Sequence, residues 1–466
     1  METRNHYKTG RNPKSQMSRG KKLNIMNHVK YRVGKWLPSD RNFLNSWIEK
    51  KVNQAKHSKL AINPAIADLR DTIYNDPILY MSFTSMYDEI PQGYNEPVKN
   101  FDTMLLVMNQ ILQEAPCYST IENTIGLVGF PINAILDWAM GTSGGYLAFT
   151  TTVVNEKLNV ILNEWKVFLQ SEASKYVLTN GPIHQPQPDY TNPVGWFSQE
   201  ALEAIAAMDP LRGQGKDPQD ALSNFIYNYQ CQPTQPYFGY KSWDDFFTRE
   251  FNPGVREVSS ADKDPSVIVS ACESAPYNCV TNAMMRDKFW MKGQPYSLLD
   301  IMNNHPLSQQ FGDNSTVYQA FLCAKTYHRW NSPVDGRVIA IQNVPGTYYA
   351  EAPVEGYDPA GPNDSQGYIA ELAARALIFI QSENPKIGLM CFVAIGMAEV
   401  SSCEITVKVG DHIKKGDPTG TFHFGGSTHC LIFRPGVNID FDFHGQTPSL
   451  NTYNIPVKSR IGVVKG

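Results

Sequence analysis

The spacing of apolar side chains changes character partway along the chain. Between about residues 36 and 228 they recur every three to four positions, the period of a helix with one buried face. Past Phe246 they fall into short Val/Ile-rich blocks separated by turn residues. Val154, Leu158, Ile161, Leu162, Trp165, Phe168 and Leu169 form the clearest helical stripe. A stripe of this kind is ordinarily core, and no site is assigned to it. The most apolar stretch, residues 125–149, is broken by Pro131, Asn133, Asp137 and a glycine cluster. It lacks the roughly eighteen uninterrupted apolar residues of a spanning helix and is read as a buried core segment. Strands are expected at 266–270, 337–344, 387–395 and 403–409. The pattern describes an α+β protein: a helical N-terminal region, 36–235, with Pro/Gln/Asn-rich loops at 181–193 and 230–236, then a β-rich region, 236–466. Residues 1–35 carry ten Lys/Arg against one acid, Glu2, with little apolar period, and are expected to be a basic, disordered tail.

Near the C-terminus, two runs of alternating apolar and polar residues, 421–424 and 428–433, flank Gly425, Gly426 and Ser427. They read as two half-buried strands meeting at a tight turn. Residues 353–367, dense in Gly, Pro and Asp, predict a long loop that could close over a site. Residues 407–416 have the look of a carrier-domain turn, but no exposed lysine flanked by methionines follows, so a β-sandwich turn is the better reading.

Composition narrows the partners. A hydrophobic share of 42% and a charged share of 18% are those of an ordinary globular protein, and a formal charge of −4 offers no general attraction for nucleic acid. Eight cysteines, 117, 231, 272, 279, 323, 391, 403 and 430, include no Cys-x-x-Cys pair and follow no secretory signal. Reduced thiols in the cytoplasm, no bound metal and no stable membrane insertion are therefore expected.

Four ordered segments carry the chemistry: Asp245-Phe246-Phe247-Thr248-Arg249, Lys292-Gly293-Gln294-Pro295-Tyr296-Ser297, Tyr327-His328-Arg329-Trp330-Asn331-Ser332-Pro333, and Gly410 through Lys415-Gly416 to Phe424-Gly425-Gly426-Ser427-Thr428. From about Tyr237 onward the chain resembles the phosphatidylserine decarboxylase family, whose members carry Tyr-His-Arg-x-His-x-Pro and a late Gly-Ser-Thr or Gly-Ser-Ser. The helical region resembles the leading domain of that family's soluble branch, which includes the L-tryptophan decarboxylases. Trp36-Leu37-Pro38, residues 129–142 and Val344-Pro345-Gly346-Thr347-Tyr348-Tyr349 carry this second likeness.

The resemblance implies a zymogen that cleaves itself between Gly426 and Ser427. The Ser427 hydroxyl would attack the Gly426 carbonyl, and elimination and hydrolysis would leave a pyruvoyl group in place of Ser427. That group would serve as electron sink, with no pyridoxal phosphate and no metal. Gly425 and Gly426 would keep the attacked peptide clear of side chains. His328 is the expected base and Glu273 the acid that orients it. The family's second histidine is Asn331 here, and an amide cannot exchange a proton near neutral pH. Its work would be slower, or would fall to His328, His423 or His429. The implied activity is that of a carboxy-lyase converting a soluble, aromatic L-amino acid to its amine and CO2. Tyr348, Tyr349 and Tyr357 are candidate substrate contacts. Two other readings are a phosphatidylserine substrate and an uncleaved binding protein. The sequence indicates no oligomeric state.

Overall fold

A computed structural model describes residues 41–120, 130–183, 193–211, 220–287, 296–352, 365–400, 402–424 and 426–465. The basic tail, Trp36, Gly425, Tyr357, residues 353–364 of the expected lid and residues 292–295 lie outside the described residues.

The first half of the chain is helical: Arg41–His57, Pro64–Asn75, Pro77–Asp88, Phe101–Ile111, Pro131–Met140, Ser143–Thr150 and Thr152–Gln170, then the shorter Gln199–Ala206, Ala221–Asn228 and Trp243–Phe247. Several starts are written in the sequence. Asn63, Asp76 and Asn100 accept from the backbone N–H of Ala65, Ile78 and Thr103, and Pro64 and Pro77 occupy the first turn, where no intrahelical donor is lost. The apolar stripe lies on Thr152–Gln170 and buries Val154, Leu158, Ile161, Leu162, Trp165 and Leu169. The stretch read as buried core forms Pro131–Met140, in which every residue after Pro131 is buried. Past the expected boundary at 235, the short helix Trp243–Phe247 packs back against Thr152–Gln170.

The β-rich region holds β1 (Val267–Val269), β2 (Ala275–Ala283), β3 (Ser315–Leu322), β4 (Arg329–Asn331), β5 (Gly336–Val344), β6 (Arg375–Ser382) and β7 (Leu389–Met397). It continues with β8 (Ser402–Ile405), β9 (His412–Ile413), β10 (Pro418–His423), β11 (Gly426–Phe433), β12 (Ile439–Phe441) and β13 (Arg460–Val464). A seven-stranded sheet runs β2-β3-β11-β7-β6-β5-β9, and two three-stranded sheets run β4-β10-β8 and β1-β13-β12, with antiparallel pairing throughout. Every residue of β3 and β7 is buried, which accounts for the near-continuous apolar run of β7, while β3 buries Ser315, Thr316 and Gln319 among its apolar residues. The expected strand at 403–409 stops at Ile405, since the chain then turns at Gly410, whose φ of 100° suits glycine.

The expected pair of half-buried strands around Gly425–Ser427 is corrected by the fold. The flanking strands belong to different sheets and are buried, so the Gly-Gly-Ser step is a crossover between layers. The polar members of the alternation misled because Thr421, His423 and Thr428 are buried with hydrogen-bond partners, and His429 is buried as well. Thr421 Oγ1 donates to the His328 carbonyl at 3.3 Å, Thr428 Oγ1 to the Ala320 carbonyl at 3.0 Å, and His423 lies between two carboxylates.

Candidate active site

Three neighbouring strands of the large sheet, β3-β11-β7, continue into three strands of a small sheet in the same order, β4-β10-β8. Three connections therefore cross side by side. One carries His328 from β3 to β4, one carries Phe424 from β10 to Gly426 and Ser427 of β11, and one carries Ala398 and Glu399 from β7 to β8. Topology alone thus gathers residues far apart in sequence. Two of these bends use left-handed backbone at residues other than glycine, Phe424 at φ 50° and Ala398 at φ 52°. Each such residue costs roughly 1–2 kcal/mol and persists only where its surroundings fix it.

At Phe424 the surroundings are aromatic. Its ring lies edge-on to Trp165 at 4.5 Å and to Trp243 at 4.7 Å, and 5.9 Å from Phe247. Phe247 also stacks on the His328 imidazole at 4.1 Å. The His328 carbonyl accepts from the Phe422 N–H at 2.9 Å, which fixes the histidine beside the strand leading to the bend. Arg249 clamps the same connection, donating to the carbonyls of Lys325 at 2.8 Å and Thr326 at 3.3 Å, while Arg329 donates to the Thr248 carbonyl at 2.7 Å. The segment Asp245–Arg249 therefore serves as the brace of the histidine-bearing connection.

Ser427 faces Leu322 of β3 on one side and Gly396 of β7 on the other, fully buried at the start of a central strand. Its Oγ has no hydrogen-bond partner among the described residues. A buried hydroxyl with no compensating hydrogen bond is costly. Its neighbour Thr428 is fully engaged: Gln319 Nε2 donates to Thr428 Oγ1 at 3.1 Å, and Tyr296 OH donates to Gln319 Oε1 at 2.6 Å.

The remaining sequence candidates separate. Glu273 is buried and bidentate on Arg256, at 2.9 and 3.0 Å, and accepts from the Val457 N–H at 3.2 Å. Arg256 also meets Asp209 at 2.8 Å, so Glu273 belongs to a buried ion cluster and makes no hydrogen bond to His328. Asn331 donates through Nδ2 to the Gly416 carbonyl at 3.0 Å, tying β4 to the Lys415-Gly416 turn. His429 stands on the Ser427 face of β11, stacked 5.9 Å from Phe392, and burial pushes its pKa down to about 3. His423 binds Asp244 through Nδ1 and Glu404 through Nε2.

Tyr348 and Tyr349 lie across β7 from the bend. Asn159 donates to the Tyr348 hydroxyl, and Tyr348 lines a cleft of about 330 Å³ between Thr152–Gln170 and the β-rich region. It also lines an enclosed space of about 10 Å³ with Tyr349, Met140, Gly396 and Met397. That space is next to the strand residue paired with Ser427. Glu399 closes the third connection: its Oε1 accepts from the N–H groups of Ile132 at 2.6 Å and Asn133 at 2.8 Å. Burial pushes its carboxyl up to about 8 against those opposing amides. Glu399, Asp244, Trp165 and Trp243 escape a sequence reading, although Asp244 directly precedes a recognised segment. Among the described residues no His/Cys/Asp/Glu group could hold a metal ion, and no helix is long and apolar enough to cross a membrane.

Comparison with known proteins agrees with this architecture. Two phosphatidylserine decarboxylase family models match, one over residues 63–205 and one over residues 243–449. The chain is 35% identical to the L-tryptophan decarboxylase of Psilocybe cyanescens, covering 86% of this chain and 88% of that protein. It is 32% identical to the L-tryptophan decarboxylase of Psilocybe cubensis, covering 84% and 85%. It is 39% identical to the decarboxylase iboD of Amanita muscaria, covering 67% and 86%.

Proposed function

From a chain that belongs to the phosphatidylserine decarboxylase family, as this one does, we infer a carboxy-lyase that matures by cutting itself between Gly426 and Ser427 and acts on an aromatic L-amino acid. The observation that carries the first part is the buried, unpartnered Ser427 hydroxyl at a bend whose preceding residue is glycine. Ser427 Oγ attacks the Gly426 carbonyl carbon, the peptide C–N bond breaks, and an ester forms as the proton passes from oxygen to the departing nitrogen. Loss of the residue 427 Cα hydrogen expels the Gly426 carboxylate, and water then releases ammonia, leaving a pyruvoyl group at position 427. His328 is the base assigned to carry these protons, a reading supported by its position on the connection beside β10, where its carbonyl accepts from the Phe422 N–H. His423 is unsuited, because both ring nitrogens face carboxylates, and His429 is unsuited because burial, which pushes its pKa down to about 3, makes it a weak base.

The family uses a pyruvoyl group, which supplies an electron sink for the carbanion left when CO2 departs. The chain's own residues shape the approach. A cleft of about 330 Å³ is within the range of small-molecule sites, and its Tyr348 leads toward the enclosed space beside Gly396. Similarity to the tryptophan enzymes extends through the helical region that forms one wall of this cleft, which favours their substrate class. The test is release of amine and CO2 from L-tryptophan, L-tyrosine and L-phenylalanine, against vesicles of phosphatidylserine. Turnover of an aromatic amino acid is expected. Turnover of the lipid alone would overturn the substrate assignment.

A further inference from the structure

Four residues before Ser427, a buried chain of ionisable groups has no part in the chemistry above. His423 ends β10, and its Nδ1 lies 3.1 and 3.0 Å from the two oxygens of Asp244, while its Nε2 lies 2.6 Å from Glu404 Oε2. A ring that faces a carboxylate at each nitrogen must donate from both, so it carries a proton on each and a positive charge. Asp244 sits on the five-residue helix Trp243–Phe247 and is buried; Glu404 sits on β8 and is half-exposed. Gln170, at the end of Thr152–Gln170, donates to Asp244 at 3.3 Å. Lys166 on that helix is the one cation opposing the charge on His423 among the groups described there.

The elements joined here also fix the bend. Trp243 and Phe247 on the Asp244 helix both pack on Phe424, Phe247 also stacks on His328, and Trp165 on the Gln170 helix packs on Phe424. Phe424 immediately follows His423 and holds its unfavourable left-handed backbone directly before the glycines. We propose that His423 is a positioning residue for self-cleavage: bridging Asp244 and Glu404, it pins the end of β10 so that the Phe424 bend presents Gly426 to Ser427. This rests on the reading that the chain cuts itself at that bond. Burial works against the charge, but the Asp244 hydrogen bond and charge, aided by Glu404, raise the His423 pKa overall. The brace is therefore complete at low pH and is lost as pH rises through that raised pKa.

The experiment follows cleavage of full-length chain made by cell-free translation, sampled over time from pH 5.5 to 9 by intact mass. Wild type should show a rate that falls on the alkaline side. His423→Gln should cleave about 10- to 100-fold more slowly at neutral pH, the scale of a misplaced reacting group, and should lack the alkaline fall. Glu404→Gln, at a half-exposed position that tolerates substitution, should move the alkaline fall to lower pH. Wild-type rates and unchanged pH profiles in both variants would overturn the positioning role. Absence of cleavage in wild type at every pH would instead overturn the self-cleavage reading itself.

Discussion

The helical and β-rich regions both reach the crossover, but with different kinds of side chain. The β-rich region brings Ser427, His328 and Gly426, the groups to which the proposed chemistry is assigned. The helical region brings Trp165, Gln170, Asn159 and the amides of Ile132 and Asn133, which hold, line or cap. The contrast teaches that chemistry here is local in sequence, whereas its alignment is not. Glu399 is bound to amides more than 260 positions away in the chain, and Phe424 packs on a helix residue almost as distant.

The largest effect should come from Ser427→Ala, which removes the attacking hydroxyl. Both chain cleavage and CO2 release should vanish, read by intact mass and amine assay, while the fold survives. A comparison of Trp165→Ala with Leu69→Ala would sharpen the contrast between regions. Both truncate buried helical side chains and should cost about 2–5 kcal/mol, read by denaturant unfolding. Only Trp165→Ala should also slow cleavage per folded molecule, because the Trp165 ring lies edge-on to Phe424 at 4.5 Å. No slowing per folded molecule in either variant would mean that the helical region acts through stability alone.

Glu273→Ala separates a brace from an acid partner. Leaving Arg256 with Asp209 as its sole remaining carboxylate should destabilise the fold by about 3 kcal/mol or more. Folded protein should still cleave at close to the wild-type rate. A well-folded variant that no longer cleaves would return Glu273 to the role of orienting His328. The last effect depends on pH and concerns Glu399. Its folded pKa of about 8 stands above the usual carboxylate value, so the folded state holds a proton that the unfolded chain releases. Stability must fall as pH rises from about 4.5 toward 8. Glu399→Gln should therefore raise Tm at pH 8 more than at pH 5.5. An equal change at both pH values would contradict the buried, protonated carboxyl.

Much of this was readable in the chain. The helical stripe fell on one helix because apolar spacing alone decides which face is buried, and the ordered segments located the Ser427 and His328 connections because reactive groups sit in short, recognisable runs. Residues 421–433 misled because Thr421, His423 and Thr428 are polar yet buried, and alternation reports polarity without reporting the partners that satisfy it. Glu273 was placed beside His328 by likeness, but the sequence held no sign that Arg256 would claim both of its oxygens. The stripe residue Trp165 was read as plain core. It is core, but its edge meets the strained residue at the cleavage bend, and only the packing of two distant segments reveals that.

The central claim is that this fold cuts itself at the β10–β11 crossover, and a denaturing mass spectrum of the purified wild-type protein tests it most directly. The account predicts a chain ending at Gly426 and a fragment beginning at position 427, the latter lighter by one ammonia than a peptide that starts with serine. A single intact chain in a preparation that releases CO2 from its substrate would contradict it.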